Sequence, residues 1–302
     1  MQHLTGYAGL VWTTIAYIVW GLMPLFYQHL RGVDAMEIFA QRVLWSVPVL
    51  ALLMWITVTP CRVFKLLLEP HSFFWLFVST VCISTSWYLN TWGVTHGQVL
   101  MVSLAYFLTP LVSILIGVCY LRERLSAAQW LALLLCLAGF SYACLNLDEF
   151  PWLTIGIALA FGSYGLIKKQ VKVDPLNGLA AEVLLVVPIA LFYLIGLGGQ
   201  TRFVEGDGDI RLLLAMTAPM TLLPLGLFIF GVARLSNLST VAILQYIEPT
   251  LYFLLAVFVF NETIDHQRWL TFGLIWAGFA VFTVDSLRRA KALPRRQSAS
   301  AG

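Results

Sequence analysis

Charge is scarce in this sequence: Asp, Glu, Lys and Arg together make up 11% of its 302 residues, against about 25% in a soluble domain. A chain with so few charges and 60% hydrophobic residues cannot clothe a water-facing surface, so it reads as a membrane protein. Histidine is rare too. The five histidines, at 3, 29, 71, 96 and 266, all fall in loops or at the ends of apolar runs. There is no His-Glu-x-x-His and no carboxylate pair inside an apolar run, and so no catalytic residue or metal site of an intramembrane hydrolase is expected. Nor is there a Gly-x-x-x-x-Gly-Lys-Ser/Thr loop, which excludes an ATP-driven motor within the chain. The five cysteines, at 61, 82, 119, 136 and 144, form no Cys-x-x-Cys and suggest neither a disulfide framework nor a metal knuckle; they read as small core residues. The first apolar run lacks a basic region before it and has many runs after it, so no cleaved leader is expected. Cofactors and nucleic-acid partners are not expected either.

What the sequence has in abundance is long apolar runs. Windows of 18–25 residues give about ten candidate spans, at 7–28, 36–58, 72–92, 98–121, 127–146, 150–167, 179–198, 211–231, 238–260 and 268–287. With the N-terminus inside, the inner segments carry Arg62, Lys65, Arg122, Arg124, Lys168, Lys169, Lys172, Arg234, Arg288, Arg289, Lys291, Arg295 and Arg296. The outer segments carry Arg31, Arg202, Arg211 and Arg268, and Arg42 remains inside a span. The bias puts both termini in the cytoplasm, with residues 291–302 as a basic tail. The loop 199–210 is the longest and most polar, and reads as a mobile outer loop. Ser126-Ala127-Ala128-Gln129 reads as a capping box opening the fifth span.

The sequence also repeats itself. Tyr106-Phe107-Leu108-Thr109-Pro110 aligns without a gap on Gln245-Tyr246-Ile247-Glu248-Pro249, and Glu123, Trp130, Gly139 and Phe140 then fall on Glu262, Trp269, Gly278 and Phe279. Upstream, Val47-Pro48-Val49 matches Val187-Pro188-Ile189, and Trp20-Gly21-Leu22 matches Tyr164-Gly165-Leu166. The expected architecture is therefore all-α and polytopic: ten transmembrane helices in two five-helix repeats, 1–149 and 150–290, joined by the acidic turn Asp148-Glu149-Phe150-Pro151. Five spans per repeat is an odd number, so the second copy enters the membrane from the opposite face and the repeats are inverted. Interrupted spans at matching places in two halves point to a transporter's binding site. Pro110 and Pro249, each lacking a backbone donor, are the expected hinges.

Polar groups deep in a span are costly, about 2.5–3.5 kcal/mol for a charge on insertion scales. Glu248 lies ten residues into its span, about 15 Å from the end and near the midplane. It forms one helical stripe with Gln245 and Tyr252, facing a stripe of Ser103, Tyr106, Pro110, Ser113 and Gly117 on the fourth span. A structural carboxylate is the alternative to a cation- or proton-binding one. A buried carboxylate is expected to titrate high, which would suit proton coupling. Arg42 sits about 9 Å below the outer end of the second span, to be paired with Glu37, Glu182 or Glu248, or to extend outward to the interface. Glu182 reads as an interfacial or capping charge. Trp87 with Asn90 on the third span, and Tyr17, Trp20, Pro24 and Tyr27 on the first, form aromatic stripes that suit either a pocket or ordinary packing. Tyr27 suits the interfacial belt as well. The expected substrate-binding set is Glu248, Gln245, Tyr106, Asn90, Trp87, Trp20, Arg42 and Tyr252.

Several stretches resemble one known family. They are Glu37 to Ser46, Trp92-Gly93-Val94, Ser103 to Leu111, Tyr164 to Lys169, Leu238-Ser239-Thr240, Gln245 to Thr250 and Phe253 to Val257. Together they are similar to RarD-type transporters of the EamA branch of the drug/metabolite transporter superfamily. The resemblance implies a bacterial inner-membrane carrier of ten helices in two inverted repeats, expected to export small amphipathic or aromatic metabolites or drugs by alternating access. It departs from the subfamily pattern at Gln41, Ser86, Thr109 and Met101, where histidine, asparagine, asparagine and an acidic residue are usual. The expected partners are a small-molecule substrate, the lipid bilayer and a coupling proton, with the chain a monomer or homodimer. The rival readings are a membrane-embedded enzyme or lipid-modifying protein, and a channel-like facilitator.

Overall fold

The computed structural model describes residues 2–57, 61–121, 125–146, 150–170, 175–232, 234–235, 241 and 244–299. Expectations for Glu123, for the junction 147–149 and for Leu238-Ser239-Thr240 lie outside the described residues. So do those for Arg122, Arg124, Lys172 and the side chains of Arg62, Lys169 and the basic tail.

Among the described residues the protein is all-helical. In chain order the helices are α1 (Gln2–Gly21), α2 (Met23–Tyr27), α3 (Ala35–Thr57), α4 (Cys61–Leu68), α5 (Pro70–Thr95), α6 (Val99–Leu121) and α7 (Ala127–Asn146). They continue with α8 (Trp152–Gln170), α9 (Pro175–Gly196), α10 (Arg202–Glu205), α11 (Gly208–Val232), α12 (Ile247–Phe258) and α13 (His266–Ala299). Seven helical segments among these residues are long and apolar enough to cross a bilayer, and Trp152–Gly165 and Ile247–Phe258 are shorter apolar helices. A helix is the obligatory answer to these runs, because lipid offers backbone groups no partner. The chain is thus a polytopic all-α membrane protein, with large apolar side chains such as Trp55, Phe192 and Ile195 left on the outside.

Local chemistry sets the helix ends. Pro70 opens α5, a position where its missing N–H costs nothing. The same helix closes at Gly97, φ +71°, where Gln98 N–H reaches back to Gly93 C=O at 2.7 Å. The capping box at α7 forms as expected: Gln129 N–H donates to Ser126 Oγ at 3.0 Å, and Ser126 N–H to Gln129 Oε1 at 2.9 Å. Ser126 also donates to Asp285 of α13 at 2.9 Å.

The loop 199–210 is not the free loop expected. Thr201 caps α10 by accepting from Val204 N–H, Phe203 N–H donates to Glu37 at 2.9 Å, and Arg211 donates to Val204 C=O. Phe203 lies beside Trp45 of α3. Local bonds and one half-buried aromatic ring fasten a segment whose composition alone suggests mobility.

The helices pack in pairs: α7 along α13, α8 along both α6 and α5, α11 along both α1 and α3, α3 along α9, and α12 against both α6 and α1. The α7–α13 seam is antiparallel, with Gly139 against Thr271 and Leu274, and Gly278 against Ala132 and Cys136. Two apolar cores result. One gathers residues such as Tyr27, Phe107, Ile157, Tyr252 and Phe272; the other gathers Phe39, Leu76, Leu179, Val186 and Leu222. Polar side chains collect where they adjoin.

Candidate functional site

Three helices converge on Asn90. Its amide donates to Tyr106 Oη of α6 at 2.9 Å and to Tyr252 Oη of α12 at 3.2 Å. The two tyrosine rings meet edge-on, 5.7 Å between centroids. This geometry comes from spacing: Asn90 lies one turn beyond Ser86 on the buried face of α5, and Tyr252 is on the buried face of α12. A second bond between the same helices, Ser103 Oγ donating to Pro249 C=O at 2.8 Å, holds α6 against the first turn of α12.

Glu248 stands in that first turn. It is half-buried, and its carboxylate lies within electrostatic reach of the hydroxyls of Tyr17, Tyr106 and Tyr252. Arg42, on α3, is within reach of Tyr106 from another side. The arginine is 3% exposed. Its Nη1 donates to Tyr27 Oη at 3.2 Å, and its guanidinium lies over the rings of Trp87 (4.8 Å) and Phe39 (5.4 Å). Because Tyr27 belongs to one apolar core, Phe39 belongs to the other and Trp87 packs against that second core, Arg42 spans the seam between the cores.

Of the residues expected to line a site, the structure thus brings together Glu248, Tyr106, Asn90, Tyr252, Arg42 and Trp87. Trp20 is at the margin, half-buried against Tyr17 and Phe228. Gln245 is not brought in: it lies in the turn before α12 and engages its neighbour Tyr246, whose ring rests on Phe279 at 4.4 Å. The two prolines differ as well. α6 runs unbroken through Pro110, whereas α12 only begins at Ile247, with turn geometry at 245–246 in front of Pro249. The break falls before the proline because the carbonyls that precede it lose their donor.

Three further expectations need correction. Arg42 pairs with neither Glu37 nor Glu182; among the described residues Lys168–Glu182 is the one ion pair. Glu182, expected as an interfacial or capping charge, is enclosed by side chains and 1% exposed. It accepts from Lys168 Nζ at 2.8 Å, from Tyr164 Oη at 3.0 Å and from Ser79 Oγ. Tyr27 is not in an interfacial belt; it is fully buried under Arg42. The residues missed were Phe39, Ser79 and Phe228. Ser79 had a legible signal, since Ser72, Ser79 and Ser86 recur every seven residues and are all buried, the spacing of one helical face. At the positions that depart from the subfamily pattern, Gln41 and Ser86 are buried. Thr109 donates to Ala105 C=O, and Met101 accepts from the Thr154 hydroxyl, through its carbonyl at 3.0 Å and through its sulfur at 3.8 Å.

Glu262 has a separate task. Its two oxygens accept from Val99 N–H at 2.7 Å and Leu100 N–H at 2.9 Å, so a carboxylate from the segment after α12 caps the start of α6, where the helix dipole favours negative charge. Burial pushes this carboxyl above its usual range, opposed by the two backbone donors and by Arg268 and Arg31. The apolar cleft beside Leu104, Ala143 and Phe272 includes none of the clustered polar groups. Among the described residues no group of His, Cys, Asp and Glu could hold a metal ion.

Comparison with known proteins gives the cluster its setting. The family model of EamA-like transporters matches residues 7–143 and again 151–284. The protein RarD of Streptomyces exfoliatus is 37% identical over 295 residues, which cover 97% of this chain and 93% of that protein. An uncharacterized transporter of Bacillus subtilis, YojE, is 34% identical over 295 residues, 95% of this chain and 97% of its own. One protein of solved crystal structure superposes with a TM-score of 0.59 over 95% of this chain and 98% of its own, at 16% identity; that likeness concerns the fold alone.

Proposed function

Since the chain belongs to the EamA-like transporter family, as a relative of the RarD proteins, we propose that it is a secondary transporter that exports small amphipathic or aromatic solutes. The solute site is the polar cluster of Arg42, Trp87, Asn90, Tyr106, Glu248 and Tyr252. The observation that carries this reading is the concentration of polar groups from four helices at the seam between two apolar cores. In lipid such groups are expensive and default to function, and a site between two bundles is where a rocking carrier needs one.

The packing supports ten crossings in two inverted repeats. Exchange α1 with α8, α3 with α9, α5 with α11, α6 with α12 and α7 with α13. The principal pairings then map onto one another: α1–α11 becomes α8–α5, α6–α8 becomes α12–α1, and α3–α11 becomes α9–α5. The pairs α7–α13, α3–α9 and α6–α12 map onto themselves. The two separate family matches in one chain agree with this division. The membrane is the bacterial inner membrane with both termini in the cytoplasm, as the Lys and Arg distribution supports.

Glu248 is the coupling group, taking up a proton or the cationic part of a solute. Among the described residues no hydrogen bond or ion pair holds its carboxylate, in contrast to Glu182 and Glu262. The test is reconstitution of wild type and Glu248→Gln in liposomes, with solute flux measured under imposed pH gradients. Wild-type flux should rise several-fold with the gradient, and Glu248→Gln flux should ignore it. A pH response that survives the substitution removes Glu248 from coupling. Saturation and counterflow in the same vesicles distinguish a carrier from a channel.

A further inference from the structure

Arg42 has donors that the protein itself does not use. A guanidinium carries five N–H groups and stays charged at every physiological pH. Those on Nη1 face Tyr27. Nε and Nη2 are buried, and among the described residues nothing accepts a bond from either. Glu37 and Glu182 are taken, and Glu248 is not bonded to the guanidinium. Glu37 holds Phe203 N–H, Glu182 holds Lys168, Tyr164 and Ser79, and Glu248 makes no ion pair with Arg42. The rings of Phe39 and Trp87 cover the guanidinium. They favour its charge but accept nothing from its in-plane hydrogens.

Leaving such donors without water or an acceptor costs several kcal/mol in general, and the edge left free has a specific shape. Nε–H and the adjacent Nη2–H are parallel and form the side-on fork that matches two oxygens of one carboxylate. A single cation with one free fork suits a monoanion better than a doubly charged phosphate.

We propose that Arg42 is the anion subsite of the transport pocket and that the solute carries a carboxylate, held side-on by Nε and Nη2. The apolar body of the solute then lies along Trp87 toward Tyr106. This assignment rests on the transporter reading and narrows it, from amphipathic solutes at large to organic acids or zwitterions with one carboxylate.

The test compares three probes of one shape, phenylacetate, phenylacetamide and phenethylamine, binding to the purified full-length protein by calorimetry and by tryptophan fluorescence. Phenylacetate should bind about tenfold or more tightly than the amide, as expected for exchange of a charge-assisted pair for a neutral contact. Arg42→Gln should bring that ratio close to one, and Arg42→Lys, which keeps the charge but not the fork, should recover only part of it. The fluorescence change on adding phenylacetate should shrink in Trp87→Phe, which locates the probe even if Arg42→Gln does not fold. The assignment is overturned if wild type binds the amide or the amine as tightly as the acid, or fails to bind the acid at millimolar concentration. It is equally overturned if Arg42→Gln keeps the preference, or if Trp87→Phe keeps the full fluorescence change. Counterflow of other solutes by a protein blind to phenylacetate would keep the transporter reading and discard the Arg42 subsite. Phenylacetate bound by Arg42, with no flux of any solute, would do the reverse.

Discussion

Arg42 and Glu182 occupy the same place in their helices, each six residues before the proline, Pro48 in α3 and Pro188 in α9. Their fates are opposite. Glu182 is fully provided for, with a lysine, a phenol and a hydroxyl around it. Arg42 retains a free edge. A satisfied buried charge fixes a structure; the free edge of Arg42 is what the proposed anion subsite rests on. Removing one partner of a buried pair strands the other, so Lys168→Met should lower unfolding stability by about 1.5–3 kcal/mol, the range of a hydrogen bond to a charged group. Thermal unfolding in detergent would measure it, and Glu182→Gln combined with Lys168→Met should recover part of the loss. Neither fate could be read from spacing. Depth counted along a span says that a charge is buried, but the partners come from other helices. Glu37 is withheld from Arg42 by a backbone N–H 166 positions away.

Local rules held well at the level of the helix, because their physics is local. The Ser126–Gln129 box needs only four consecutive residues and forms as written. The glycine-ended turn of α5 and the proline at its start are equally local devices that the span reading, 72–92, did not single out. The α12 break was legible only approximately, since Pro249 frees carbonyls upstream while the turn itself falls at 245–246. That shift keeps Gln245 out of the cluster, although its spacing from Glu248 and Tyr252 is that of a single helical face. The α7–α13 seam was partly legible in the aligned Gly139 and Gly278. A Cβ on Gly278 would run into Cys136 Sγ and the Ala132 carbonyl, and small residues of this sort let helices approach closely in lipid. Gly278→Val should therefore cost about 1–3 kcal/mol, as overpacking of a tight interface does. Gly273→Val, on the same helix but with open space around it, should cost much less. Unfolding of the two variants in parallel checks the contrast.

For the molecule as a whole, the sequence repeat, the double family match and the exchange pattern of the helix pairs are separate supports for the proposed architecture. The first depends on residue identity, the last only on which helices touch. The proposed orientation predicts that reporters fused after residue 302 and inserted in the segment 58–60 read cytoplasmic, and that a reporter inserted at 206–208 reads external. Reporters at 58–60 and at 206–208 both facing outward would set the two halves the same way round and end the inverted reading. The composition made the membrane class plain from the start. It could not show that the segment 199–210 is tied to α3, since that depends on a few bonds to distant residues.

The cap at Glu262 sets a mechanical condition on that architecture. Two rods clasped at one tip can part only like the legs of a compass. The carboxylate joins the segment behind α12 to the leading end of α6, and Ser103 ties α6 to the first turn of α12, so under the proposed carrier reading the pair can splay about the Glu262 end only once the Ser103–Pro249 bond is released.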